Sequence, residues 1–351
     1  MDTSADILAA RLRAQLLSRP VAGVEEIVER LMAVQAQDAR AFRLAVRSRS
    51  RECTAGDVDA ALNDRSLVVS WLCRGTLHLV RAVDYPWLHA LTAPRIAVGN
   101  IRRLAQLGVD PAMAARGVAV IVDTLADGPR SRDELRKALD AAGVPTSGQA
   151  LIHLLVAASL RAHVVRGPVR GGEHCFVDAH RWLGAVRPPD RDTCLARLAR
   201  RYLAGHGPAA PSDLAAYAGI TLTDARRGFT LICDETRAAG DGQVVLAGDE
   251  SGADLPAPRL LGMFDPVLHG WADRSFVTGR HTGIVTTNGL FRATALVDGR
   301  VAGTWNLTGG RLTLAPLQPL TAGVLSDLEA DAADVLRFLG LPDRPLAVRP
   351  S

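Results

Sequence analysis

Apolar positions recur with a helical period through long stretches of the chain, and the clearest block starts near residue 116. Residues 116–125 carry such a stripe, closed by Gly128 and Pro129. Ser131 followed three residues later by Glu134 is a capping box, which predicts a helix running to Gly143. Ser147-Gly148 opens another helix over 149–159. The period then changes to that of strands. Residues 162–166 and 174–177 read as antiparallel partners around a Gly/Pro/Arg loop at 167–172. Three helices followed by a hairpin predict a winged helix-turn-helix.

The same order recurs between 193 and 247. An arginine-rich helix covers 193–205, Ser212 caps a short helix ending near Gly219, and Thr223 caps a helix over 224–233. A hairpin turning at Gly240-Asp241-Gly242 follows. The N-terminal part gives a longer copy, with helices at 5–17, 24–34, 41–47 and 57–62, the last capped by Thr54, then strands at 67–72 and 76–80. Residues 84–115 form a partly helical link. After Pro256 the chain becomes strand-like, with short runs at 276–280, 284–286, 290–297, 301–305 and 312–316. Turns at Asn288-Gly289, Asp298-Gly299 and Gly309-Gly310 separate most of them, and a helix over 321–338 closes the chain. The expected fold is therefore α+β and mainly α: tandem winged helix-turn-helix units and a small C-terminal antiparallel β-barrel. The expected divisions are 1–110, 111–190, 191–255 and 256–351.

Composition narrows the class. At 48% hydrophobic the chain can bury a substantial core, which argues against disorder. The longest apolar stretch, near 150–160, is too short to span a bilayer, where about 20 residues are needed. The first six residues hold two acids and no basic segment, so no signal peptide is expected. The five cysteines are odd in number, widely spaced and lack a C-x-x-C pair. They indicate neither a disulfide framework nor a zinc ribbon, and they suit a reducing cytoplasm. The histidines make no H-E-x-x-H pattern, and no Walker or dinucleotide glycine motif is present. No metal and no cofactor are expected.

A net charge of +4 permits a nucleic-acid partner without establishing one. Lys137 is the only lysine, so nearly all the basic residues are arginine, the residue suited to bidentate phosphate contacts. The plainer reading of that bias is a GC-rich genome. Arg161, Arg166 and Arg170 flank one predicted hairpin, and Arg197, Arg200 and Arg201 share one face of a helix. Each set taken alone reads as a solvated face. Taken with three helix-hairpin units, they point to a basic surface along duplex DNA.

Three segments form a recognisable set: Leu31-Met32-Ala33-Val34-Gln35-Ala36-Gln37-Asp38, then Trp71-Leu72-Cys73-Arg74-Gly75-Thr76-Leu77-His78-Leu79-Val80, then Gly262-Met263-Phe264-Asp265 with Gly270-Trp271-Ala272-Asp273-Arg274-Ser275 and Val297 to Trp305. Together they resemble the winged-helix DNA glycosylases that include the bacterial crosslink-repair and azinomycin-resistance enzymes. The resemblance runs over nearly the whole chain. It implies a monofunctional hydrolase that removes alkylated purines, such as bulky N7-guanine or N3-adenine adducts and interstrand crosslinks, in repair or toxin self-resistance. It implies duplex DNA as partner, no membrane, and a monomer. In the azinomycin-resistance branch a glutamine–hydrophobic–glutamine motif carries excision, which here is Gln35-Ala36-Gln37. The crosslink-repair branch has an aspartate at the second polar position, where this chain has Gln37 with Asp38 beside it. The resemblance also implies a hairpin at the lesion, over roughly 280–288, which includes Arg280, His281 and Asn288.

The chemistry fits those residues. An N7- or N3-alkylated purine is already cationic and leaves readily, so the enzyme must place a water and stabilise charge on the sugar. Glutamine supplies an acceptor and two donors for that water. Gln37 is expected to position it with Gln35 as partner, and Asp38 is a candidate electrostatic stabiliser by analogy with glycoside hydrolysis. Side chains two apart on an α-helix point to nearly opposite faces, so a shared site requires that 34–38 is not regular helix. The plainer alternative is that the glutamines end a helix on neighbouring backbone. Lys137, in a predicted helix near its C-terminal end, reads as a solvated charge, so no Schiff-base lyase step is expected. Arg74, Thr76 and His78 either touch phosphates or hold the first hairpin together. Asp273 and Arg274 are expected to form an ion pair, and Trp271 and Trp305 to be core. A non-enzymatic DNA-binding protein, a regulator or damage sensor on the same scaffold, and a winged-helix interaction module that does not touch DNA are the remaining alternatives.

Overall fold

The computed structural model describes residues 3–185, 187–248 and 254–349. The fold is mixed α/β, with helix approaching half of the chain. The chain divides into two compact units.

The larger unit takes in the N-terminal residues through Val58, Leu195–Tyr217, and the chain from Thr221 onward. Its first helices, Thr3–Ala14 and Val24–Leu31, bury apolar faces, the second through Ile27, Val28 and Leu31. The helix Arg191–His206 crosses Val24–Leu31 at close range. A Cβ on Gly205 would run into the carbonyl of Arg30, and the Arg30 guanidinium donates to the carbonyl of Ala204 at 3.1 Å. Helices Pro211–Ala218 and Leu222–Leu231 follow, then a hairpin of Thr236–Gly240 and Gln243–Leu246. The second of these helices is capped by Thr221, whose hydroxyl accepts from the Asp224 N–H at 3.0 Å, in place of the expected Thr223. The longer helix places Thr223 inside its first turn.

The C-terminal sheet of this unit corrects the expected barrel. Five strands lie in the order Ala347–Val348, Arg311–Pro316, Arg300–Thr308, Thr294–Val297 and Arg259–Leu261, and the sheet is open. One pairing, between Arg311–Pro316 and Ala347–Val348, is parallel. Both edge strands are only two or three residues long, and a side chain takes the place of a further strand at one edge. The Leu260 N–H donates to the carboxylate of Asp331, at 2.7 Å, from the closing helix Ala322–Phe338. Residues 276–280 are likewise not a strand. Asp273 accepts from the Ser275 N–H at 2.9 Å and from its hydroxyl at 2.5 Å, which starts the short helix Ser275–Thr278. The three Gly turns fall where the sequence puts them, each with positive φ.

The second unit spans Asp59–Cys194 with Ala218–Ile220. Its strands form antiparallel hairpins, Leu67–Trp71 with Leu77–Arg81 and Val164–Arg170 with Glu173–Asp178, joined where Val69 faces Arg166. Helices Tyr85–Gln106, Pro111–Leu125, Arg132–Ala141 and Ala150–Leu160 precede the second hairpin. The capping box at Ser131 and Glu134 is present. Ser147 does not cap the next helix; Gln149 occupies that position without a side-chain bond. The expected 167–172 loop is mostly strand. A register shift between Arg166 and Val169 absorbs Gly167-Pro168, and the turn is Gly171-Gly172, both at positive φ. No single helix among the described residues is long and apolar enough to cross a membrane.

Candidate active site

The glutamine pair lies between two helices in the larger unit. Helix Val24–Leu31 stops because Met32 adopts a left-handed backbone, φ 66°. The buried hydroxyl of Tyr217 sits 3.1 Å from the carbonyl of Leu31 and 2.8 Å from that of Ala33, and fixes the exit. Val34–Gln35 then forms a two-residue strand, and the next helix starts only at Ala39. The segment between the two helices is therefore not helical: only Val34–Gln35 is strand, and the chain bends at Gln37 and Asp38. Gln35 is buried, at 7% exposure, whereas Gln37 is exposed.

Asp38 is the N-cap of helix Ala39–Arg47. Its Oδ1 accepts from the backbone N–H of Arg40 at 2.9 Å and of Ala41 at 2.8 Å. Neither bond uses Oδ2. The same helix is anchored from behind. Arg47, 3% exposed, pairs with Asp331 and, at 2.8 Å, with Asp334 on the closing helix. Arg49 pairs with Asp265 at 2.8 Å, and both side chains are wholly buried. Asp265 belongs to the Gly-Met-Phe-Asp motif, so that motif's work is to hold the helix that carries Asp38. Gly262 serves the same packing, since a Cβ there would lie 2.9 Å from Cβ of Leu44. Burial opposes charge on Asp334, but Arg47 outweighs it, with help from Arg337, and the carboxyl is held below its usual range.

Asp38 opens onto a cavity of about 700 Å³ between the start of this helix and the C-terminal sheet. Arg40, Arg292, Asn306, Thr304 and Arg349 share its polar wall. Gln35 and Gln37 are not among its lining residues. Arg40 reaches across to the carbonyl of Leu307 at 3.4 Å. These arginines had no distinguishing mark in the sequence. They come from three separate segments, and only the packing of sheet on helix brings them together. Tyr217 was equally invisible, being 182 positions along the chain from Gln35.

The other expected DNA contacts are scattered. In the second unit, Arg74 is exposed in a tight turn at φ 57°. The Thr76 hydroxyl donates to the Cys73 carbonyl at 3.3 Å, and the wholly buried His78 places Nδ1 3.0 Å from the Thr76 carbonyl. Both thus engage the hairpin's own backbone. Arg166 lies over the rings of Trp71 and Phe176, at 5.5 and 4.9 Å, and burial, with Arg132 nearby, lowers its pKa to about 10. Arg170 is exposed and reaches the Pro129 carbonyl at 3.3 Å. Lys137 pairs with Asp133 at 2.9 Å on the helix surface.

In the larger unit, Arg197 is exposed, but Arg200 makes a two-point pair with Glu235 and Arg201 pairs with Glu29. Two members of that stripe are tied to carboxylates on neighbouring elements. Arg280 and Asn288 are exposed and His281 half-buried. Residues 284–292 form a small hairpin, with Val285 facing Phe291 and the Thr286 N–H bonded to the Leu290 carbonyl at 2.9 Å. No Asp273–Arg274 pair forms. Asp273 is committed to Ser275, and Arg274 lies over the Phe291 ring at 5.1 Å. Trp271 and Trp305 are buried, and their indole N–H groups donate to the carbonyls of His206 and Leu261. Among the described residues no group of His, Cys, Asp and Glu could hold a metal ion.

The larger unit thus carries two carboxamides on a non-helical segment and, next to them, one carboxylate on a cleft rimmed by guanidinium groups. The family model described as DNA glycosylase AlkZ-like matches residues 28–338, and the chain belongs to that family. It is 26% identical to the interstrand DNA cross-link repair glycosylase of Streptomyces sahachiroi, over 97% of this chain and 98% of the relative. It is also similar to the solved structure of the Streptomyces sahachiroi DNA glycosylase AlkZ, with a TM-score of 0.79 and 25% identity, covering 98% of this chain and 99% of that one.

Proposed function

We propose that this protein hydrolyses the N-glycosidic bond of alkylated purines in duplex DNA, including bulky N7-guanine or N3-adenine adducts and crosslinks, without cutting the strand. The observation that carries the reading is the non-helical Gln35-Ala36-Gln37 segment leading into Asp38 at the mouth of a cavity. Helical geometry would have separated the two carboxamides, and the break in the helix after Leu31 removes that obstacle. Gln37, exposed, holds the attacking water, and Gln35 orients it from its buried position. Asp38 stabilises the positive charge that grows on the sugar as the base departs. The departing base is already cationic, so it needs no strong acid. The only lysine is exposed and paired with Asp133, which leaves no side-chain amine suited to a Schiff base.

The helix-hairpin segments 1–110, 111–190 and 191–255 act as winged-helix units that grip the duplex, with 256–351 beside the lesion, and the protein works as a cytoplasmic monomer. The test is base release from an alkylated duplex, revealed by heating in alkali, for wild type and Gln35→Ala/Gln37→Ala. Release by wild type and its loss in the variant support the reading. Tight binding by wild type with no release would replace it with a DNA-binding protein that has no hydrolytic role.

A further inference from the structure

Two arginines on the cavity wall have no task inside the protein. Among the described residues, the guanidinium groups of Arg292 and Arg349 have no hydrogen bond or ion pair, although the backbone N–H of each is anchored, to the carbonyls of Ile284 and Leu314 at 2.9 Å. The strand and hairpin therefore fix where the two side chains start, while the charged ends stay available. Asp38 is the one carboxylate on the wall they share, and its Oδ1 is occupied by two backbone N–H groups. The wall therefore carries more positive than negative charge. The apolar Leu44, Met263 and Leu307 line the same cavity.

We propose that Arg292 and Arg349 form a clamp for one backbone phosphate of the lesion strand, and so hold the attached deoxyribose against Asp38. The ligand is a phosphodiester, which guanidinium groups bind with paired N–H donors. The clamp rests on the reading of DNA as substrate, and it makes both arginines positioning residues. Hydrolysis by a water held on a carboxamide depends on where the sugar sits, and the clamp sets that position without touching the scissile bond.

The experiment is equilibrium binding of an undamaged duplex and of one with a stable abasic analogue, by fluorescence anisotropy across a salt series. Arg292→Ala/Arg349→Ala is expected to reduce the slope of log K against log salt by about 0.9, the value for one phosphate that the protein no longer neutralises. Arg292→Lys/Arg349→Lys is expected to restore it. If the double alanine variant does not fold, the single variants Arg292→Gln and Arg349→Gln, each at an exposed position, give the same measurement. An unchanged slope in the folded variants overturns the clamp. So does a reduced slope that lysine fails to restore, since a merely structural arginine behaves that way. Wild type that binds steeply with salt but releases no base refutes the glycosylase reading and leaves the clamp standing. Normal release with an unaltered slope in the variants removes the clamp alone.

Discussion

Asp38 has two separable duties, and two substitutions tell them apart. As N-cap it accepts two backbone N–H groups at 2.8 and 2.9 Å, and as an anion it faces the cavity. Asparagine keeps a side-chain oxygen in the capping position and ranks with aspartate as a cap. Asp38→Asn is therefore expected to cost only the charge–helix interaction, about 0.3–1 kcal/mol at an exposed site. Asp38→Ala removes both cap bonds and costs about 0.5–2 kcal/mol. If the carboxylate also stabilises the sugar cation, both variants lose rate together. Removing one preorganised electrostatic partner costs about 10²–10³-fold, or roughly 3–4 kcal/mol of barrier. The asparagine variant is thus expected to keep close to wild-type urea stability while single-turnover base release falls about a hundredfold. Wild-type release by Asp38→Asn, with loss confined to Asp38→Ala in proportion to its instability, would reduce Asp38 to a cap and refute the chemical role.

Two further outcomes follow from the same packing. Tyr217→Phe leaves the carbonyls of Leu31 and Ala33 without their shared hydroxyl, which should cost about 1–3 kcal/mol in urea unfolding. It should also slow base release more than it weakens duplex affinity, because the exit into Gln35 loosens while the phosphate contacts remain. The Asp334 carboxyl is held below its usual range despite burial, so its pairing with Arg47 adds stability above the unfolded carboxylate value near 3.9. That contribution fades as pH falls through the lower folded value. Asp334→Asn should flatten the acid limb of the stability–pH profile below about pH 4 and leave the profile shape near neutrality unaltered.

Much of this molecule is legible in its order of residues, because the information is local. Ser131 and Glu134 cap a helix through atoms three residues apart, and Gly turns at 289, 299 and 310 need only a backbone free to take positive φ. The non-helical path through Gln35 and Gln37 was expected on condition that the two share a site, since side chains two apart on a helix point to nearly opposite faces. The failures were decided by distant partners. Residues 276–280 alternate plausibly as a strand, yet Asp273 and the packing of Phe276 against Arg11 and Trp271 turn them into a helix. An open sheet looks like a barrel from its strands alone, because nothing near Leu260 announces that Asp331 will take its N–H. In the charged stripe, Arg200 and Arg201 are both taken up by Glu235 and Glu29, which sit 35 and 172 residues away. Arg292, Arg349 and Asp38 meet in one cavity only because a helix and a sheet from opposite ends of the chain pack together. Local sequence fixes caps, turns and periods, whereas which charges face one another depends on tertiary packing that no short window contains.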